Sequence, residues 1–139
     1  MNRFSSTMQF GFGGRLTPMV RNLLIANGVI WLIQNFSGGY VTSLFALQPL
    51  AIESDLAVWQ LFTYMFLHGR FFHIFWNMFA LWMFGGEVER ALGSTKFLQY
   101  YILTGMAGGF FQLLVNWGSP AVIIGASGAV YGVLLAFGV

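Results

Sequence analysis

The sequence predicts an all-α membrane protein, a polytopic helical bundle, and three observations carry that expectation. Hydrophobic residues make up 58% of the 139 and charged residues 7%, against about 25% charged in soluble domains. Mean hydropathy is +0.73. The few charges are also spaced so that long runs stay uncharged: Asn22 to Ile52, Phe71 to Gly86 apart from His73, and Phe97 to Val139. Runs of that kind are what about 30 Å of hydrocarbon selects.

Residues 1–17 are polar and glycine-rich without a compact apolar stretch, so they read as a flexible cytoplasmic lead-in rather than a cleavable signal peptide. The membrane domain is expected over 18–139. Its first helix, about 18–36, opens at Pro18, which suits a first helical turn, and closes at Ser37-Gly38-Gly39. Asn27, Gln34 and Asn35 interrupt it, so it should pack against neighbours and turn those groups away from lipid.

An outer loop over 37–69 follows, longer than most connections in compact proteins. Within it Val58, Leu61, Phe62, Met65 and Phe66 recur at helical spacing, the pattern of a short interfacial helix, with Trp59 and Tyr64 suited to that depth. Further helices are expected at about 71–92 and 96–117, each about 33 Å long at 1.5 Å per residue, joined by a tight turn at Gly93-Ser94. The last, about 124–139, is short for a lipid-exposed span and should be buried among neighbours or continue further. Gly105 with Gly109, and Gly128 with Gly132, allow close helix packing.

Charge placement sets the expected orientation. Arg3, Arg15 and Arg21 precede the first crossing, and Arg90 and Lys96 flank the Gly93 turn, so five of six basic residues fall on one side. That side is cytoplasmic by the positive-inside rule, and the loop with Glu53, Asp55 and Arg70 faces out. The pI near 9.3 reflects a net charge of only +2, with no basic cluster, which argues against a nucleic-acid partner. With no cysteine there is no thiolate nucleophile and no disulfide framework. A transporter reading is disfavoured because no carboxylate or basic residue marks an ion path inside the apolar runs.

Chemistry is concentrated in two places. Gly125-Ala126-Ser127-Gly128 sets a serine between small residues at the mouth of a helix, where the dipole is positive and an extended peptide could approach. The same pattern also serves helix packing. His73 and Asn77, at i and i+4, share one helix face just inside the outer end of the second crossing. They are either an interhelical hydrogen-bond pair or site residues; with Ser127 entering from the same side, all three lie at similar height. Spacing alone would allow Ser127 as nucleophile, His73 as base and Asn77 as orienter. Glu87, Glu89 and Arg90 read as a solvated, helix-closing cluster.

His68, His73-x-x-x-Asn77, the run Gly85 to Gly93 (Gly-Gly-Glu-Val-Glu-Arg-Ala-Leu-Gly), and Gly125-Ala126-Ser127-Gly128-Ala129-Val130-Tyr131-Gly132 together resemble the rhomboid family of intramembrane serine proteases, over most of the chain after Trp59. The resemblance implies a rhomboid-like bundle with four of the usual six transmembrane helices present. It implies Ser127 as nucleophile and His73 and Asn77 as oxyanion donors with the Ser127 N–H, supported by Gly125, Gly128, Tyr131 and His68. The family's base is a histidine on its sixth helix, expected beyond Val139, in a longer protein or a separate segment. The implied activity is cleavage of transmembrane protein substrates within the bilayer, without cofactor or metal. The alternative is a non-catalytic relative that binds membrane helices. One departure concerns the outer loop, where Trp59-Gln60 stands in place of the family's frequent Trp-Arg and leaves a loop anchor in question.

Overall fold

The computed structural model describes residues 16–139; most of the expected lead-in, with Arg3 and Arg15, lies outside the described residues. The described elements are helical: α1 (Pro18–Phe36), α2 (Tyr40–Phe45), α3 (Pro49–Asp55), α4 (Gln60–Thr63) running into a 3-10 turn (Tyr64–Phe66), α5 (Phe71–Leu92), α6 (Ser94–Val115) and α7 (Ser127–Gly138). α7 packs against α6 and α5, and α1 packs against α5.

Backbone chemistry explains the boundaries. α5 ends at Gly93, whose φ of 85° reverses the chain in one residue, so α6 begins at Ser94 instead of Lys96. α7 starts at Ser127 instead of near Ile124. Leu47 and Ile123 exchange two backbone hydrogen bonds of 2.9 Å, which keeps the chain extended up to Gly125, and Gly125 itself sits at φ 123°.

The outer loop carries more structure than its periodicity indicated. α2 and α3 are additional, and the stretch read as one interfacial helix splits into α4 and the 3-10 turn. Tyr64 is buried inside the bundle and not turned to its surface. The anchor left in question at Trp59-Gln60 is made by the glutamine itself. Gln60 is buried, its Oε1 accepts the Gln48 N–H at 3.0 Å and its Nε2 donates to the Leu44 carbonyl at 3.3 Å, while Trp59 Nε1 donates to the same carbonyl at 2.9 Å.

Polar side chains are buried beside an apolar core, and large apolar side chains cover much of the outside. Asn27, Gln60, His68, Asn77 and Glu89 are buried, whereas Ile25, Val29 and Leu32 on α1, Leu103, Phe110 and Leu114 on α6, and Leu135 on α7 are exposed. Along α5 the exposed rings of Phe71, Phe75, Phe79 and Trp82 follow one another at centroid spacings of 5.9, 6.0 and 6.0 Å. Among the described helices, α6 is long and apolar enough to cross a membrane by length and hydropathy alone, and α7 is apolar but shorter. α1 and α5 have comparable length but are diluted by Arg21, Asn27 and Gln34, and by His73, Asn77 and Glu87.

The polar residues of α1 are engaged in different ways. Asn27 donates to the Leu23 carbonyl at 2.8 Å, and Gln34 bonds Thr42 and the His68 N–H. Asn35 departs from the expected inward turn: it is exposed and returns its amide to the Trp31 carbonyl at 2.7 Å.

Glu89 also departs from its reading as a solvated residue. It is 2% exposed, and its carboxylate accepts the N–H groups of Met19 and Val20 at 2.9 and 3.0 Å and the Ser94 hydroxyl at 2.6 Å. The orphan donors in the first turn of α1 are thereby capped by a charge from another helix. Glu87 and Arg90 do pair at the surface, as read.

Candidate active site

The site lies at the end of the molecule opposite Glu89. Arg70 is the N-cap of α5, so His73 falls in the first turn and Asn77 one turn further on the same face. Ser127 is the first residue of α7, after Ala126 as N-cap. Its N–H belongs to the first helical turn, where backbone donors have no partner within the helix, and Val130 is the first residue to close onto Ala126, at 2.9 Å.

A cavity of about 450 Å³ separates α5 from α7, walled by Phe72, His73, Trp76, Asn77, Ala80, Ser127, Val130, Tyr131 and Leu134. It unites Ser127, His73, Asn77 and Tyr131. Ser127 and Tyr131 are exposed, His73 is partly buried and Asn77 is buried.

Hydrogen bonding orients the two α5 groups. The Gly69 N–H points to His73 Nδ1 at 3.4 Å. With Nδ1 accepting, the neutral ring carries its proton on Nε2. Nε2 faces Gly125 so closely that a Cβ added there would lie 2.7 Å from it, which is why only glycine fits. The Asn77 amide donates to the His73 carbonyl at 3.0 Å; an amide has two N–H donors, so the second remains for the cavity.

His68, outside the cavity, supports its wall from behind. It is fully buried, its Nε2 accepts the Ala126 N–H at 3.4 Å, and its ring lies 5.0 Å from that of His73. Burial, and secondarily the neighbouring His73, lower its pKa to about 4. His68 is therefore neutral near pH 7 and able to accept a hydrogen bond.

Gly128 closes the approach of α7 to α6: a Cβ there would lie 3.6 Å from the Gly108 Cα. Gly108 and Gly128 thus face each other backbone to backbone. Gly105, Gly109 and Gly132 instead make room for Met65, Tyr64 and Thr104.

Residues 55–139 match the family model of the rhomboid domain. The chain belongs to the rhomboid family. It is similar to the rhomboid protease GlpG of Haemophilus influenzae, 35% identical over 86 residues, which are 62% of this chain and 43% of that protein. It is also similar to the rhomboid protease GlpG of Pectobacterium atrosepticum, 27% identical over 117 residues, 84% of this chain and 41% of that protein. The protein of the same name from Salmonella paratyphi A is 26% identical over 70% of this chain and 36% of its own length. This rhomboid chain therefore spans less than half the length of these curated relatives. Rhomboid proteins are integral membrane proteins, and the relatives are named as proteases.

Motif reading did not find three residues on which this rhomboid site rests. Tyr64 accepts the Gly125 N–H on its carbonyl at 3.0 Å. Glu53 accepts the Gly118 N–H on Oε1 at 2.6 Å, and Leu47 pairs with Ile123. None carries a sequence signal, since each acts through a contact between the outer loop and the segment before Ser127.

Proposed function

We propose that this chain is the front part of an intramembrane serine endopeptidase that cleaves transmembrane segments of other membrane proteins by acyl transfer. The observation that carries the reading is the convergence of Ser127, His73 and Asn77 on one cavity, from helices far apart in sequence. Ser127 Oγ attacks the scissile carbonyl carbon as its proton passes to a base. The carbonyl oxygen becomes an oxyanion facing the Ser127 N–H, His73 Nε2–H and the Asn77 amide. Collapse breaks the C–N bond, the amine leaves with the proton from the base, and water then hydrolyses the acyl-serine by the same route.

Donors aimed at the developing charge in a water-poor site are each worth about 3–4 kcal/mol. His73 serves as donor rather than base, because its Nδ1 is already turned to the Gly69 N–H and its protonated nitrogen faces the oxyanion position. His68 is buried behind Ala126. The resemblance to the family then assigns the base to a histidine of a later helix, outside residues 1–139.

The bundle is read as multi-pass, with α1, α5, α6 and α7 crossing or entering the bilayer. The exposed apolar faces support this, as does the gathering of the α1 start, the α5 end and the α6 start around Glu89. With Arg21, Arg90 and Lys96 near that end, it faces the cytoplasm and the cavity opens towards the outer side.

The test is labelling of the complete protein in detergent or bilayer with a fluorophosphonate probe. Modification at Ser127, abolished by Ser127→Ala, is expected, and no labelling of folded protein would favour a helix-binding relative without catalysis. Single cysteines at Ser54, Ser94 and Ser119 test the orientation. An impermeant thiol reagent applied from outside should modify positions 54 and 119 and spare 94; modification of 94 alone would invert the topology.

A further inference from the structure

We infer that Tyr64 is a positioning residue of the Ser127 site, a strut that sets the height of Gly125 and Ser127 against His73. The inference rests on the serine-protease reading of that site. Tyr64 belongs to the outer loop, yet it is only 4% exposed because its side chain enters the seam between α6 and α7. Its hydroxyl donates to the Gly105 carbonyl at 2.5 Å. Its ring lies over Gly109, where an added Cβ would come within 2.6 Å of Cε1 and 3.2 Å of the hydroxyl oxygen. Gly128, one residue after the nucleophile, faces the same hydroxyl: a Cβ there would lie 3.7 Å away.

The main chain of the same residue does the complementary task. The Tyr64 carbonyl accepts the Gly125 N–H at 3.0 Å, and Gly125 is the residue pressed against His73 Nε2. One residue thus joins the α6 backbone, through its phenol, to the strained glycine beside the proposed oxyanion position, through its carbonyl. The side chain bonds neither Ser127 nor the cavity-facing donors, so its effect passes through the position of Gly125. Displacing that residue changes the distance from the attacked carbonyl to His73 and Asn77 without changing which groups are present, and misplacement of that kind lowers rate more than binding.

The experiment uses the complete protein, wild type and Tyr64→Phe, which keeps the ring and removes the donor. Gly109→Ala pushes the ring from the opposite side with the hydroxyl retained. Two quantities are read per folded molecule: the concentration dependence of fluorophosphonate labelling, giving a maximal rate and an apparent affinity, and amide hydrogen exchange at Gly125, Leu47 and Ile123. Both variants should lower the maximal labelling rate by about tenfold with affinity within about twofold. Exchange at Gly125 should rise by about tenfold while Leu47 and Ile123, held by their own bridge, stay unchanged. A lower unfolding midpoint with labelling rate and Gly125 exchange unchanged would overturn the inference. Failure of the wild type to label would sink the protease reading instead, whereas unchanged Gly125 exchange in Tyr64→Phe would sink the strut alone.

Discussion

The two ends of α5 hold polar groups and use them in opposite ways. At one end the Glu89 carboxylate is saturated, with two backbone N–H groups and a serine hydroxyl directed at it. At the other, His73 and Asn77 have part of their capacity committed to neighbouring backbone, and the rest faces a cavity shared with Ser127. A saturated buried group has nothing left to offer a substrate and contributes stability. A partly saturated one is held in orientation and keeps a donor for a group entering the cavity, as the proposed oxyanion role needs, at the expense of cohesion.

The largest effect that can break this comparison is on rate. His73→Ala in the complete protein should lower turnover about 10²- to 10³-fold, a loss of about 3–4 kcal/mol of transition-state stabilisation, with the unfolding midpoint little changed. Turnover equal to that of Ser127→Ala, with folding verified, would make His73 the base and remove the distinction between donor and nucleophile partner.

The converse substitution should move stability and leave chemistry alone. Glu89→Ala strands the donors of Met19, Val20 and Ser94, and is expected to cost about 3 kcal/mol of stability in a denaturant titration in detergent. Turnover per folded molecule should stay within about twofold. Glu87→Ala, which removes only the exposed pair with Arg90, should cost about 0.5 kcal/mol or less. If both glutamates proved equivalent, the capping role of Glu89 would be wrong.

A pH-dependent effect sharpens the comparison at the site end. His68 has its folded pKa lowered from 6.5 to about 4, by burial first and then by His73. Between those values the unfolded chain binds the proton and the folded one does not, so this contribution to stability is present above about pH 6.5 and is lost as pH falls towards 4. The loss should be about 3 kcal/mol once pH is well below 4, from a pKa difference of about 2.5 at about 1.4 kcal/mol for each pH unit. His68→Gln should show a shallower fall across the same window, and parallel pH profiles for the two proteins would remove His68 from the account.

The helical bundle was legible in the sequence because its signal is local. Apolar runs between charges, Pro18 at a first turn and Gly93 at a reversal each act within a few residues, and α1 and α5 begin and end where those signals stand. His73 and Asn77 could be singled out together because i and i+4 share a face in any helix. Glu89 was misread because the same Glu-Val-Glu-Arg run places one carboxylate outward and the next inward, and only the docking of α1 decides which is buried.

The outer loop was least legible. Tyr64, Gln60 and Glu53 act on partners distant in the chain, at Gly105, Leu44 and Gly118, and periodicity carries no information about such pairs. By itself, then, the sequence determined the membrane class, the long helices and the candidate residues, since composition and helical spacing are short-range properties. Tertiary structure decided that Ser127 meets His73 and Asn77 in one cavity, that Glu89 caps α1, and that Tyr64 bears on Gly125. Those outcomes depend on how helices far apart in sequence pack, and close packing between them is satisfied by complementary shapes and unpaired hydrogen-bonding groups that no single segment contains.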